Sequence, residues 1–153
     1  GYGFLSERAE LANLCAENGI TFVGPAAETI GALGDKLRSR AIAEAAGVPL
    51  VPGTNSIASV TQAHKAAEEL GYPVLMKASA GGGGRGMFIA RNADAITAGF
   101  DAASTEAEEA FGDGTLYMER YVENARHVEV QAVGDGKGRV VHFGERDCSV
   151  QRR

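Results

Sequence analysis

The sequence predicts an α/β fold with an α+β segment in its middle. Helical patterns, with apolar residues at i, i+3 and i+4, alternate with short apolar runs typical of buried strands. Two such runs, 72–77 and 87–90, flank a glycine-rich segment. A third stretch, 127–143, alternates with period two around a Gly-Asp-Gly-Lys-Gly turn. With 153 residues and 44% hydrophobic content, the chain is long enough for a packed domain.

The first third of the chain reads as helices with one short strand. Ser6 is a candidate N-cap of a first helix that Gly19 ends. The apolar segment 20–23 is then predicted to be a short buried strand, because a strand after a helix is typical of α/β proteins. Residues 27–33 and 35–46 are predicted to be helices.

The remainder mixes helices with strands. A Ser-x-x-Gln capping box at 59–62 begins a helix that ends at Leu70. Asn92 can cap a helix through about residue 104, and the acidic residues at 106–109 are interpreted as a solvated face without function. The remaining predicted strands cover 116–122, 127–133 and 139–143.

Composition argues against several classes of protein. A net charge of −5 and a pI near 5.2 argue against a general nucleic-acid-binding surface. No apolar run approaches the roughly 18 residues of a membrane span, and the first residues lack a secretory signal pattern. Cys15 and Cys148 have no metal-like spacing, which favours reduced thiols in the cytoplasm.

The glycine-rich segment carries the strongest chemical signal. Glycines let backbone N–H groups surround an anion, and Lys77 before the loop adds positive charge for a phosphate. Gly81, Gly83 and Gly86 match G-x-G-x-x-G, but an apolar strand follows instead of a helix, which excludes the dinucleotide-binding interpretation. No Gly-Lys-Ser/Thr closes the loop as in a P-loop. The pattern predicts a hairpin over phosphates; a plain hairpin turn is the alternative.

Two lysines are candidate phosphate ligands. Lys77 ends an otherwise apolar strand, so it requires an anion, either a phosphate or a carboxylate in an ion pair. Lys36 follows Gly34-Asp35 at a helix start, where the helix dipole disfavours a cation. From the residues alone, Lys36 reads as a surface charge.

Polar residues at strand ends form the other candidates. The run Glu119-Arg120-Tyr121-Val122 could offer backbone groups to an adenine edge, or could be a strand end with paired surface charges. His127 lies on one face of a strand with other polar residues, and that face could line a cleft or meet water. The segment 145–153 is dense in polar groups after a strand, so Gln151 and Arg153 are candidates for an active-site floor.

These motifs together resemble biotin carboxylase, the ATP-dependent part of biotin-dependent carboxylases, over essentially the whole chain. The segment 145–153 is the most family-specific. The segments that carry the resemblance are Gly1-Tyr2-Gly3-Phe4-Leu5-Ser6-Glu7, Gly34-Asp35-Lys36, Ala46-Gly47-Val48-Pro49, 72–86, Tyr117-Met118-Glu119-Arg120-Tyr121, Arg126-His127-Val128-Glu129 and Glu145-Arg146-Asp147-Cys148-Ser149-Val150-Gln151-Arg152-Arg153.

The resemblance implies an ATP-grasp fold that is only partly present. We expect residues 1–23 to be the tail of an N-terminal α/β domain and 24–54 a helical linker. Residues 55–121 would form the ATP-grasp lid, and 122–153 the start of the C-terminal domain. The chain begins inside a motif and ends where the family continues, so we expect an internal fragment.

The resemblance also implies an ATP-dependent ligase. It would carboxylate biotin on a carrier protein, using ATP, Mg²⁺ or Mn²⁺ and bicarbonate, by way of carboxyphosphate. The family's catalytic and metal-binding residues would follow Arg153, so none is expected here and the isolated chain is expected to be inactive. The residues that the resemblance assigns to ATP are Lys36, Lys77, Gly83, Gly84, Glu119, Arg120, Tyr121, Val122 and His127.

The implied partners are a biotin carboxyl carrier protein, a carboxyltransferase and a second copy of the complete biotin carboxylase, with neither nucleic acid nor membrane. An acyl-CoA acceptor such as acetyl-CoA, in fatty acid biosynthesis, is the first expectation, with pyruvate or urea as alternatives. An organellar matrix fits as well as the cytoplasm. The rival functions are another ATP-grasp ligase, against which 145–153 argues, and a non-catalytic nucleotide-binding module.

Overall fold

The computed structural model describes residues 3, 5–80 and 85–149, and the chain forms two compact units, Gly1–Tyr121 and Val122–Arg153. The mixture of helices and small sheets confirms the predicted α/β class. The finer division of the first unit stays a prediction. The helices are α1 (Ala9–Glu17), α2 (Ala27–Gly34), α3 (Lys36–Ala45), α4 (Val60–Leu70) and α5 (Ala93–Phe111). The strands are β1 (Val74–Ala78), β2 (Phe88–Ala90), β3 (Leu116–Arg120), β4 (Val128–Gly134) and β5 (Val140–Asp147).

Two local predictions near the N-terminus are wrong. Helix α1 has Arg8 at its N-cap, and the Ser6 hydroxyl donates to the Gly3 carbonyl at 2.8 Å in a turn before the helix. The segment 20–23 pairs with no described strand, and Ile20 and Val23 are 60% and 89% exposed. A strand needs a neighbour for its backbone groups, and the described residues supply none there.

Helix α3 begins where the sequence predicts and is tied to the sheet. The Asp35 carboxylate accepts a hydrogen bond from the Arg38 N–H at 2.8 Å, so Asp35 caps the helix. The Lys36 N–H donates to the Ser79 carbonyl at 3.4 Å. The first turn of α3 therefore lies beside the end of β1.

The first unit contains a three-stranded antiparallel sheet in the order β2-β1-β3. The β1–β2 pair, with Met76 opposite Phe88, confirms the predicted hairpin around the glycine-rich segment. Strand β1 alternates: Val74, Met76 and Ala78 are buried, whereas Leu75 and Lys77 lie on the other face and are half-buried. One face of the sheet is therefore packed into the core, whereas the other face, which carries Lys77, is only partly covered.

Helices α4 and α5 cover the buried face of this sheet. The Ser59 hydroxyl accepts from the Gln62 N–H at 3.3 Å, and the Gln62 side chain accepts from the Ala58 N–H at 2.9 Å, one residue before the position that a standard capping box uses. Asn92 caps α5 as predicted. The core consists of Ile57, Ala63, Ala67, Val74, Met76, Ala78, Ala90, Ile96, Phe100, Ala103, Ala107, Leu116 and Met118.

Residues 52–57 run along the free edge of β3. The Thr54 N–H donates to the Met118 carbonyl at 2.8 Å, and the Ile57 N–H donates to the Leu116 carbonyl at 2.7 Å. The Arg120 N–H donates to the Pro52 carbonyl at 2.8 Å. This segment therefore acts as an irregular edge strand that covers the outer edge of the sheet.

The second unit is an antiparallel hairpin of β4 and β5. Its register pairs Glu129 with Arg146 and Ala132 with His142, and it shifts by one residue between Val130 and Ala132. Strand β5 extends through Asp147, so Glu145–Asp147 belong to the strand and do not follow it as predicted. The shift is a β-bulge, at which Gly144 has a positive φ of 83°.

Candidate functional site

A carboxylate held by two cations lies on the half-buried face of the first sheet. One oxygen of Glu119 accepts from Lys77 Nζ at 2.5 Å, and the other accepts from Arg40 Nη1 at 2.6 Å. The side chains of Glu119, Arg40 and Lys77 are 12%, 19% and 23% exposed. Because all three are largely withdrawn from water, their charges interact more strongly than they would at the surface.

The register of the sheet brings these residues together. Lys77 lies opposite Tyr117 and Leu75 lies opposite Glu119, so Lys77 and Glu119 are diagonal neighbours on one face. The Lys77 ammonium also lies 5.9 Å from the centre of the Tyr117 ring. Burial, and then the Glu119 charge, raise the pKa of the Tyr117 phenol well above its ordinary value. Tyr117 is therefore a neutral wall of the cluster.

Lys36 adds a further positive charge. Burial lowers the pKa of its ammonium below the ordinary 10.5, and the charge of Lys77 lowers it further, while Asp35 and Glu119 oppose this shift. Since the two lysines repel each other, their arrangement favours an anion near them. The N-terminus of α3, which carries the partial positive charge of the helix dipole, is at the same place.

A cavity of about 410 Å³ opens beside Lys36. It is lined on its other sides by Glu7, Thr29, Ile30 and Leu33, from the turn before α1 and from α2. The predicted lysines Lys36 and Lys77 are brought near each other by α3 and β1, and the cavity lies on the Lys36 side. Such a group of cations can bind and neutralise a phosphate chain.

The hydrogen-bond donors of Arg120 and Tyr121, which follow Glu119, are engaged by other groups of the protein. The Arg120 guanidinium donates through Nε and Nη2 to the Leu70 carbonyl, at 3.1 and 2.8 Å, and thereby satisfies the C-terminus of α4. The N–H groups of Arg120 and Tyr121 donate to the carbonyls of Pro52 and Pro73. These two N–H groups are therefore occupied by protein partners. Val122 begins the second unit and is 50% exposed.

In the second unit, His127 lies directly before β4 and is exposed. Its N–H donates to the Ser149 hydroxyl at 3.0 Å, and its carbonyl accepts from the Cys148 N–H at 2.7 Å. Hydrogen bonds from Ser149 lower the pKa of Asp147, with a smaller contribution from the His127 charge. His127 is thus anchored by its backbone, and its ring is accessible.

Four predicted site residues, Gly83, Gly84, Gln151 and Arg153, lie outside the described residues. The described end of the glycine-rich segment, Gly86, has its N–H bound to Glu106 at 2.9 Å. At φ +61°, Gly86 has a backbone conformation that favours glycine, and a Cβ there would be crowded, at 3.1 Å from the Cβ atoms of Ala78 and Ala107. The second strand of the hairpin is therefore fixed where it leaves the loop.

Arg40 and Glu106 were not among the site residues predicted from the sequence. Arg40 lies four residues after Lys36, which places both on one face of α3, and this spacing was the available signal. Glu106 belonged to the stretch interpreted as a solvated face without function. Its contact with Gly86 depends on the folding of α5 against the sheet, so no local pattern predicts it.

The described residues contain no group of three or more His, Cys, Asp or Glu side chains placed to hold a metal ion. Within the same part of the chain, no helix is long and apolar enough to span a bilayer.

Comparison with protein families gives two matches. Residues 35–153 match the family model "Carbamoyl-phosphate synthase L chain, ATP binding domain". Residues 1–30 match the model "Biotin carboxylase, N-terminal domain". The first match covers more than half of the chain.

Curated relatives match over the full length of the chain. It is 53% identical to the 2-oxoglutarate carboxylase small subunit of Hydrogenobacter thermophilus, covering 100% of the chain and 33% of that protein. It is 49% identical to the mitochondrial pyruvate carboxylase of Rattus norvegicus, covering 100% of the chain and 13% of that protein. The chain therefore spans a third or less of these relatives.

Solved structures match equally well. The biotin carboxylase domain dimer of H. thermophilus 2-oxoglutarate carboxylase, in complex with MgADP, ADP and bicarbonate, has a TM-score of 0.92 at 52% identity, over 99% of this chain and 34% of that one. A Campylobacter jejuni biotin carboxylase in complex with β,γ-ATP has a TM-score of 0.94 at 48% identity, over 99% and 34%. The chain belongs to the family of the carbamoyl-phosphate synthase L chain ATP-binding domain, and its first 30 residues match the N-terminal domain of biotin carboxylase.

Proposed function

We propose that this chain supplies part of the ATP site of a biotin carboxylase, which uses ATP and bicarbonate to carboxylate biotin on a carrier protein. The observation that supports this best is the pairing of two cations, Lys77 and Arg40, with the single carboxylate of Glu119. Lys36 lies close to them at the start of α3, where the charges of Lys77, Asp35 and Glu119 act on it. A polyphosphate is an anion of matching charge.

In this reaction, a bicarbonate oxygen attacks the terminal phosphorus of ATP and the bond to ADP breaks. The resulting carboxyphosphate breaks into phosphate and CO₂, and biotin N1 forms a bond to the CO₂ and gives its proton to the released phosphate. In-line phosphoryl transfer depends mainly on positioning and on charge stabilisation. Lys36 and Lys77 would supply both for the phosphates, with the backbone of Gly83 and Gly84.

The remaining site residues are proposed on the resemblance. Glu119 and the backbone of 120–122 would lie near the adenine, and His127 near the nucleotide. Because the Arg120 and Tyr121 N–H groups are engaged, and both Glu119 oxygens accept from cations, backbone carbonyl groups of this segment are the better candidates for the adenine amino group. Gln151 and Arg153 would belong to the active-site floor.

Mg²⁺ would neutralise charge on the nucleotide phosphates when bound. The described residues offer it no ligand cluster, so no step is assigned to it among them.

The complete enzyme would work with a biotin carboxyl carrier protein, a carboxyltransferase and a second biotin carboxylase copy, in the cytoplasm or an organellar matrix. An acyl-CoA is the first proposed acceptor. A 2-oxo acid is the second candidate, and the named relatives, a 2-oxoglutarate carboxylase and a pyruvate carboxylase, favour it. Residues 1–153 alone are expected to release no ADP.

The test measures bicarbonate-dependent ADP release by the complete gene product that contains these residues, with and without free biotin. Biotin should stimulate the release, and Lys77→Ala should abolish it. Lys65→Ala, an exposed lysine on α4, is the matched control and should leave the rate unchanged. ADP release that ignores biotin would move the function to another ATP-grasp ligase.

A further inference from the structure

Glu119 has two cationic partners that come from different elements. Lys77 belongs to β1 and Arg40 to α3, and each binds a separate carboxylate oxygen. The two contacts, at 2.5 and 2.6 Å, are of similar length. The carboxylate is therefore neutralised twice, although one cation would balance its charge.

This double pairing bears on how Lys77 can act on a ligand. A largely buried carboxylate that loses its only cation is left uncompensated, which is strongly unfavourable. If Lys77 were the only partner of Glu119, any move of its ammonium toward a phosphate would leave that carboxylate alone. With Arg40 present, Glu119 keeps a charged partner after Lys77 departs.

Arg40 is built to stay in place. Its Nη2 donates to the Val51 carbonyl at 2.9 Å while Nη1 holds Glu119, so two fixed acceptors orient one planar group. Gly53 provides the space, because a Cβ there would lie 3.0 Å from Nη2. The flexible ammonium of Lys77, in contrast, donates to one Glu119 carboxylate oxygen and lies over the Tyr117 ring.

We infer that Arg40 is a positioning residue for Lys77, which keeps Glu119 paired while the Lys77 ammonium exchanges that carboxylate for a nucleotide phosphate. This inference rests on the proposed ATP site. It gives Arg40 an effect on phosphate binding without contact to the nucleotide.

The test compares two ligands, ATP and adenosine, by calorimetric titration of the complete gene product. Adenosine lacks the phosphates that would attract Lys77. The variants are Arg40→Met, Lys77→Met and the double variant. Arg38→Met, an exposed arginine on the same helix, is the matched control.

Arg40→Met should raise the Kd for ATP by on the order of tenfold, the size of coupling that contacting charged residues show. Its Kd for adenosine should stay unchanged. The double variant leaves Glu119 without either cation, so it should bind ATP more weakly than Lys77→Met does. Arg38→Met should alter neither Kd. Should Arg40→Met fail to fold, Arg40→Gln tests the same ratio with a polar neutral group.

Equal losses for ATP and adenosine would overturn the inference, because they would mean that Arg40 merely maintains the shape of the site. An unchanged Kd for ATP in Arg40→Met or Arg40→Gln would overturn it too. If Lys77→Met itself leaves ATP binding intact, the proposed function fails instead. The two failures are therefore distinguishable.

Discussion

Lys36 is the residue whose ionisation should report on the site. Burial and the Lys77 charge lower its pKa below the ordinary 10.5, so without ligand it loses its proton at a lower pH than an exposed lysine does. A bound phosphate would favour the charged form and raise this pKa again. Phosphate binding is therefore linked to proton uptake at alkaline pH.

The first prediction follows from this linkage. ATP affinity of the complete gene product should fall as pH rises toward 10.5, because Lys36 must then be reprotonated on binding. Calorimetry in buffers of different ionisation enthalpy should detect the proton uptake. Lys36→Arg, which stays charged, should remove that uptake, and an unchanged uptake in this variant would contradict the assignment to Lys36.

Gly53 should tolerate no side chain. A Cβ at this position would lie 2.8 Å from the Met118 carbonyl and 3.1 Å from Glu119 Cγ. Gly53→Ala should therefore lower the free energy of unfolding by about 1–3 kcal/mol, as overpacking does, measured by urea denaturation. Gly31→Ala, in α2 with nothing within 4 Å, is the control and should be neutral or stabilising.

At the residue scale, the sequence predicts that a side chain requires a partner of opposite charge better than it predicts which residue that partner is. An anion for Lys77 follows from a lysine within an apolar strand. That the anion in the folded chain is Glu119, 42 positions away, depends on the β1–β3 register. The role of Arg40 was not predicted, because it depends on a contact between distant parts of the chain: the Val51 carbonyl lies beside α3 and accepts from the Arg40 guanidinium.

At the scale of the element, helix α5 supports two loops through its acidic residues. Glu106 accepts from the Gly86 N–H at 2.9 Å, and Glu108 accepts from the Gly114 N–H at 2.7 Å. The acidic stretch therefore anchors both the hairpin before α5 and the turn after it.

Removing the Glu106 carboxylate should loosen the exit of the glycine-rich segment. In Glu106→Ala the Gly86 amide loses its acceptor, so its hydrogen exchange should accelerate, as measured by NMR or mass spectrometry. Glu109→Ala, an exposed neighbour on the same helix, should leave that exchange rate unchanged. Equal exchange rates at Gly86 in both variants would contradict the role of Glu106.

The bounds of α5 show which signals for the start and end of a helix can be recognised in the sequence. The sequence predicted that α5 ends near residue 104, which is too early. The acidic residues at 106–109 were interpreted as a separate stretch, although the apolar face of the helix continues through Ala107. Gly112, with φ 74°, is the left-handed residue that ends the helix, and its type was a visible signal. The start at Asn92 was predicted because its capping contact is local.

At the scale of the whole molecule, the two units differ in how much they bury. The core cluster lies entirely within Gly1–Tyr121. Among the described residues from 122 onward, only Cys148 is buried, and Val130, Val140 and Phe143 are 58%, 71% and 73% exposed. A lone two-stranded hairpin is at best marginally stable in water.

A peptide of residues 122–153 should therefore lack a stable fold by circular dichroism, whereas residues 1–121 should unfold cooperatively. A cooperative thermal transition in the peptide would contradict this prediction. The same reasoning explains why the hairpins at 72–90 and 127–143 were predicted correctly and the strand at 20–23 was not. A hairpin contains its own partner, but an isolated apolar run requires one from elsewhere.

The position of Tyr117 also makes this cluster optically visible. The chain contains no tryptophan and four tyrosines, so its intrinsic ultraviolet emission comes from phenol rings. Tyr117 is only 2% exposed and lies under the Lys77 ammonium. A departure of that ammonium would change the electric field at this ring, and the emission of the chain would then register, without any attached dye, the moment at which Lys77 moves.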